Sequence, residues 1–410
     1  MLQVASDKSS IPPEQAQSGA RPRNRVRFDP PGDARAHPRA QGETRSVMSV
    51  FEHTNGAGHE QIVFCSDDQS GLRAIIAIHS TALGPALGGT RFYPYRDEQD
   101  ALIDVLRLAK GMTYKAAAAG LDLGGGKAVI IGDPRRIKSE ELLRAYGRFV
   151  ETLSGRYITA EDVGTQLDDM DIVRRETRWV TGCSHTFGGS GDPSPVTAYG
   201  VMHGIKACCL ELFGDMSLEG RTVAVQGVGK VGHALCGYLV EQGAKVTIAD
   251  VDVDNLGKAV SDFEVETVPL DQIHKLEVDV FAPCALGAVI NDDTISELRC
   301  KIIAGSANNQ LARDEHGEKL RDLGILYAPD FVVNAGGLIN VEDELRGYDQ
   351  ARAMKRVEGI YKQLQHIFTM AKERNMSTAK AALEHAEARI RKISRIRLVR
   401  VAEFGPSSAH

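Results

Sequence analysis

One segment limits the folds open to this chain more than any other. Gly227-Val-Gly-Lys-Val-Gly232 follows the apolar run Thr222–Gln226 and opens a helical pattern over 230–242. A G-x-G-x-x-G at a strand-to-helix turn allows a tight bend, lets backbone approach a pyrophosphate, and aims the helix's unpaired N–H groups at it. The next apolar run, Lys245–Ala249, ends at Asp250, eighteen residues past the last glycine. A carboxylate there takes ribose hydroxyls and repels a 2′-phosphate, which favours NAD over NADP. Cofactor contacts are therefore expected at Gly227, Gly229, Lys230, Val231, Gly232 and Asp250. Apolar runs at Val278–Ala282, Lys301–Ala304 and Ile325–Val333 continue a βαβ rhythm and predict a parallel sheet.

Upstream, Ala74–Ile78, Lys127–Ile131 and Arg156–Ala160 read as strands, and Asp97–Gly111 and Ser139–Leu153 as amphipathic helices. The breaker cluster 188–195 reads as a hinge and Val196–Phe213 as the helix after it. The fold class expected is α/β with two domains and a cleft between them. Residues 48–190 form the substrate-binding domain, joined by C-terminal helices at about 345–395, and 195–340 a Rossmann-type NAD domain. Residues 1–47 carry six of the fifteen prolines and eight Lys/Arg against five Asp/Glu, with almost no apolar periodicity. They read as a disordered extension without the apolar core of a secretory signal, and Met48 is an alternative start.

The composition narrows the partners. A net charge of −6 argues against a nucleic-acid binder, and no apolar run is long enough to span a bilayer. Seven cysteines, scattered and without a C-x-x-C pair, fit reduced thiols in a cytoplasmic protein. Twelve histidines without H-E-x-x-H or H-x-H spacing give no metal motif.

The reactive groups stand in Met112-Thr-Tyr-Lys115 and Gly124-Gly-Gly-Lys127-Ala-Val-Ile-Ile131. A lysine framed by glycines at a strand mouth reaches substrate closely, loses hydration and can act as a base, while its neighbour anchors an anion. The run is no phosphate loop: Leu121 stands where that motif needs glycine and Ala128 where it needs Ser/Thr. Asp162, in Ala160-Glu-Asp-Val-Gly-Thr165, either trades protons with a lysine across a cleft or caps the following helix.

Taken together, Gly84-Pro-Ala-Leu-Gly-Gly-Thr-Arg-Phe-Tyr-Pro-Tyr95, the two lysine motifs, Glu161-Asp-Val-Gly-Thr165, the glycine fingerprint and Asn334-Ala-Gly-Gly-Leu-Ile-Asn-Val341 resemble the leucine/valine/phenylalanine dehydrogenase group of the amino-acid dehydrogenases, over roughly 50–385. The resemblance implies that Lys115 holds the substrate α-carboxylate, Lys127 activates the water that attacks the imine carbon, and Asp162 relays protons at the amino group. It places Gly88 and Gly89 at the carboxylate end and Thr197 beside the nicotinamide. Asn308 and Asn334 would contact the nicotinamide ribose or the carboxylate. Leu87 and Val341, where related glutamate dehydrogenases carry lysine and serine, would line an apolar side-chain pocket with Ala160 and Leu338. The implied reaction is reversible NAD-dependent deamination of valine, leucine or isoleucine to the 2-oxo acid and ammonium, by a homo-oligomer. A phenylalanine dehydrogenase and a catalytically silent NAD-binding protein are the alternatives.

Overall fold

The computed structural model describes residues 50–54, 58–285 and 287–395; the expectation for 1–47 lies outside the described residues. Two open sheets organise them. The first contains β1 (Gln61–Asp67), β2 (Leu72–Ser80), β3 (Ala86–Tyr93), β4 (Gly124–Ile131) and β5 (Tyr157–Glu161), in the spatial order β1-β2-β4-β3-β5. Strands β4, β3 and β5 run parallel, and β2 and β1 continue the sheet in antiparallel fashion.

Register decides what faces the cleft. Leu87 pairs with Gly125 on one side and Ile158 on the other, and Gly89 pairs with Ala160. Lys127 stands two residues beyond Gly125, so the alternation of strand side chains puts it level with Gly89 on the face shared by Leu87, Ile158 and Ala160. The opposite face buries Ala86, Ala128 and Tyr157 against Leu142, Tyr146, Met170 and Val173. Those partners come from the helices Glu140–Thr152 and Leu167–Arg174, the first started by Ser139, whose hydroxyl accepts from the Leu142 N–H at 3.2 Å.

On the cleft side, the helix Glu98–Ala118 lays Ala101, Leu102, Val105, Leu106 and Ala109 over Ile75, Ala77 and Val129. Asp97 caps it, accepting from the Asp100 N–H at 2.8 Å. It does not stop at Gly111: the alanine-rich stretch that follows favours helix, so Lys115 lies in its last turn.

The second sheet is wholly parallel: β6 (Thr222–Gln226), β7 (Lys245–Ala249), β8 (Val265–Thr267), β9 (Val280–Pro283), β10 (Ile302–Ile303) and β11 (Leu326–Tyr327), ordered β11-β10-β9-β6-β7-β8. This is the doubly wound order, with its switch point between β6 and β9, where such folds open a ligand crevice. The strand expected over Ile325–Val333 is a correction: only Leu326–Tyr327 is extended, and Asp330–Val333 turns helical after Pro329.

The helix Ser194–Phe213 follows the breaker cluster and packs closely on the helix Gly359–Glu373; a Cβ on Gly200 would meet the Ile360 side chain at 2.8 Å. The final helix, Thr378–Ser394, lies against Glu98–Ala118. There Arg389 donates to the Leu121 carbonyl at 2.5 Å and to the Asp122 carboxylate at 2.8 Å.

Candidate active site

Just past the C-terminal end of β5, Asp162 accepts from the Lys127 ammonium. Lys127 lies inside β4 rather than after a loop, because all three preceding glycines are strand residues. They are there for space: a Cβ on Gly125 would sit 2.1 Å from the Thr113 N and Oγ1, and one on Gly124 1.9 Å from the Ser80 carbonyl. The helix bearing Lys115 therefore rests directly on the strand bearing Lys127.

Asp162 follows β5 and is not a helix cap. The next helix is started by Gln166 in a reciprocal box with Asp169, whereas Asp162 accepts from the Val163 N–H at 2.7 Å. Arg91, on β3, donates its Nε–H to Asp162 at 3.2 Å and its Nη1–H to Asp104 at 2.8 Å. Burial raises the Asp162 pKa, but Lys127, Arg91 and the hydrogen bonds outweigh it and hold the carboxyl below the ordinary range. It is therefore an ionised acceptor at neutral pH.

Burial pushes the Lys115 ammonium down to about 8; Lys127 adds to that, while Asp330 and Asp162 oppose it. A half-buried cation among these groups offers an anion site that is still protonated in large part at neutral pH. Asp330 comes from the far side of the cleft and accepts from the Gln310 N–H at 3.0 Å and the Phe331 N–H at 2.7 Å. Burial raises its pKa despite those bonds and Lys115.

Of the two glycines on β3, Gly89 lies on the cleft face, where a Cβ would meet Glu161 O at 2.3 Å and Asp162 Cβ at 3.0 Å. Gly88 turns the other way, and its carbonyl accepts from the Tyr157 hydroxyl at 2.6 Å. Leu87, Leu338 and Val341 belong to one buried cluster with Ile158, and Ala160 stands next along the same face of β5. Leu338 and Val341 are one turn apart on the helix Gly336–Asp343.

Asn334 donates to the Ser306 carbonyl at 3.1 Å and to Asn308 Oδ1 at 2.9 Å, yet its own buried Oδ1 has no partner. An orphaned buried acceptor at a cleft wall suits a ligand that brings an N–H or O–H. Thr197, in the first turn of Ser194–Phe213, donates to the Pro193 carbonyl at 3.0 Å and packs on Gly337, where a Cβ would come within 2.7 Å of its hydroxyl.

The glycine fingerprint has the geometry of a pyrophosphate cradle. Gly227 adopts φ +94°, a Cβ on Gly232 would collide with the Gly227 carbonyl at 1.9 Å, and Gly229 faces open space before the helix Lys230–Glu241. Asp250 accepts from the Val228 N–H at 2.7 Å, which fixes its carboxylate at the turn. Val231 is half-buried in the helix's first turn, and Lys230 reaches out to Asp192 at 3.4 Å.

Sequence reasoning assigned nothing to Arg91 or Asp330. A charged residue within a strand was the available signal for Arg91; Asp330 had none, since its approach to Lys115 is purely tertiary. Asp292, Glu315 and His316 also converge, but Arg313 and Lys319 already occupy Asp292 at 2.5 and 3.0 Å and His316 accepts from the Arg313 N–H, so no metal site is assigned there.

Comparison with known proteins agrees with this geometry. A family model described as the Glu/Leu/Phe/Val dehydrogenase dimerisation domain matches residues 59–179, and one described as Glutamate/Leucine/Phenylalanine/Valine dehydrogenase matches 188–403. Leucine dehydrogenase of Thermoactinomyces intermedius is 56% identical over 350 residues, covering 85% of this chain and 96% of that one. Valine dehydrogenase of Streptomyces coelicolor is 52% identical over 353 residues, covering 85% and 97%. The crystal structure of L-tryptophan dehydrogenase from Nostoc punctiforme superposes with a TM-score of 0.75 at 46% identity, covering 85% of this chain and 100% of that one. Fold, cleft and sequence thus converge on one assignment: the chain belongs to the glutamate/leucine/phenylalanine/valine dehydrogenase family.

Proposed function

We propose that this protein is an amino-acid dehydrogenase that reversibly deaminates branched-chain L-amino acids to 2-oxo acids and ammonium with NAD. The observation that carries the reading is the Lys127–Asp162 ion pair beneath Lys115, at the mouth of a Rossmann-type crevice. Lys115 takes the α-carboxylate as a fixed cation and so orients Cα. The side chain enters the apolar space of Leu87, Ala160, Leu338 and Val341. None of these four side chains offers a cation to a second carboxylate, and burying one unpaired is costly, which disfavours glutamate.

NAD fits the cradle of Gly227, Gly229 and Gly232, with Lys230 and Val231 in the helix turn above it and Asp250 for the ribose hydroxyls. When bound there, its chemistry is acceptance of hydride from Cα. Lys127 positions the water that adds to the resulting iminium carbon and, once its own ammonium proton has passed to Asp162, the neutral amine takes a proton from that water. Asp162, ionised and bonded to Lys127, passes protons between that lysine and the amino group. Asn334 Oδ1 would accept from a substrate or nicotinamide N–H, with Asn308 fixing its amide and Thr197 closing the nicotinamide side.

On the same reading, the lobe of 48–190 with 345–395 binds the amino acid and the lobe of 195–340 the cofactor. The protein acts as a cytoplasmic homo-oligomer: the described cysteines are all free, and β1 is a sheet edge with Phe64 55% exposed. Among the described residues, no helix is long and apolar enough to cross a membrane. The test is NADH formation across valine, leucine, isoleucine, phenylalanine, tryptophan and glutamate. The aliphatic substrates should give the highest kcat/KM. A higher value for an aromatic one would move the assignment to an aromatic amino-acid dehydrogenase, and NAD binding without turnover of any would replace it with a silent binding protein.

A further inference from the structure

A second cavity, of about 110 Å³, opens at the other end of the same strands, beside Ile158, Leu123 and Trp179. We propose that it is a binding site for a small apolar carboxylate; it shares Ile158 with the cleft face, but neither Lys115 nor Lys127 lines it. Ile158 and Leu87, each the second residue of its strand, pair across β5 and β3, so the cavity lies toward the N-terminal ends of these strands, whereas Asp162 follows the C-terminal end of β5.

Its unpaired guanidinium donors point to an anion. Three acids line it and each is already engaged. Asp122 accepts from Arg389, Glu342 from Arg346 and Arg356, and Glu344 from the Ser190 hydroxyl and the Ser190 and Gly182 N–H groups. Two arginines line it without a carboxylate partner among the described residues. Arg174 donates only to the Thr177 carbonyl, at 3.5 Å, and the Arg178 guanidinium lies 4.7 Å from the centre of the Trp179 ring. Arginines left free in this way favour a bidentate carboxylate. Leu123, Ile158, Trp179 and Leu345 offer apolar wall to the rest of the ligand. An apolar cavity of roughly 150 Å³ takes a benzene ring, so this one suits a branched chain of about five carbons. The 2-oxo acids of the proposed reaction are of this class. That identification rests on the proposed function, whereas the site itself rests on the cavity and its arginines.

Trp179 is the single tryptophan of the chain, so its fluorescence reports on this cavity. The probe is 4-methylpentanoate, which carries neither an amino nor a 2-oxo group and cannot turn over. Titration of the full-length protein should give a saturable change in emission. Arg174→Met and the rim variant Arg178→Met should each weaken it about tenfold, while Lys115→Ala leaves it unchanged. No saturable change in the wild type, a response unaltered in both arginine variants, or one lost in Lys115→Ala would overturn the proposal. The readout needs no catalysis, so a failure of the dehydrogenase reading would not be mistaken for a failure of the site.

Discussion

Lys127 and Asp162 lie 35 positions apart and meet because β4 and β5 both flank β3. Their candidacy was legible in the sequence, since a lysine after three glycines and an aspartate after an apolar run are uncommon placements. The electrostatics were less so. Arg91 bonds an aspartate 71 residues away, and Asp330 acts on Lys115 across the cleft. The depressed Lys115 pKa has a testable consequence. Burial lowers it to about 8, so the free enzyme loses the cation proposed to bind the carboxylate as pH rises through that value. The sign for stability is opposite: between about 8 and the ordinary lysine value the unfolded chain holds more protons, so folding gains as pH rises across that window. For amino-acid oxidation, kcat/KM measured against pH should carry an alkaline limb near 8 that is absent in Lys115→Arg, because arginine stays charged. An unchanged limb in that variant would assign it elsewhere.

At the scale of elements, β6 and β7 were readable as apolar runs bounded by turn residues, and the observed Thr222–Gln226 and Lys245–Ala249 match them. β3 was not: Ala86–Tyr93 contains two glycines, and its buried pattern lacks polar alternation. Yet those glycines are what the site needs. At Gly89 a methyl group would strike backbone 2.3 Å away and push on Asp162. Gly89→Ala should lower stability by about 1–3 kcal/mol, read as a fall in thermal midpoint, and reduce kcat as Asp162 moves. Gly257→Ala is the control: it lies in the helix Val253–Asp262 with nothing within 4 Å of the added carbon, and should keep both stability and activity.

Across the whole molecule, the breaker cluster 188–195 reads as a hinge, but the sequence does not show what it bonds to. Glu344, far along the chain, accepts from the Ser190 N–H at 2.9 Å, its hydroxyl at 2.5 Å and the Gly182 N–H at 3.0 Å. Beside it in the chain, and by contrast local, buried Asp343 takes both arms of Arg352, nine residues on, at 2.7 Å. Contacts made across 154 and 162 residues leave no local pattern to read. Glu344→Ala would strand the Ser190 N–H in that segment and the Gly182 N–H before it. It should cost about 1–3 kcal/mol and change kcat and KM together, as hinge residues do; a shift in stability with both constants unmoved would mean the clamp does not govern closure. The proposed mechanism stands on Lys127 as the group that reacts. The most direct measurement is turnover of L-leucine by wild type and Lys127→Ala, with NAD binding followed in parallel by equilibrium dialysis. The prediction is undiminished NAD binding with kcat reduced by about a hundredfold or more. Comparable turnover by the two proteins would contradict it.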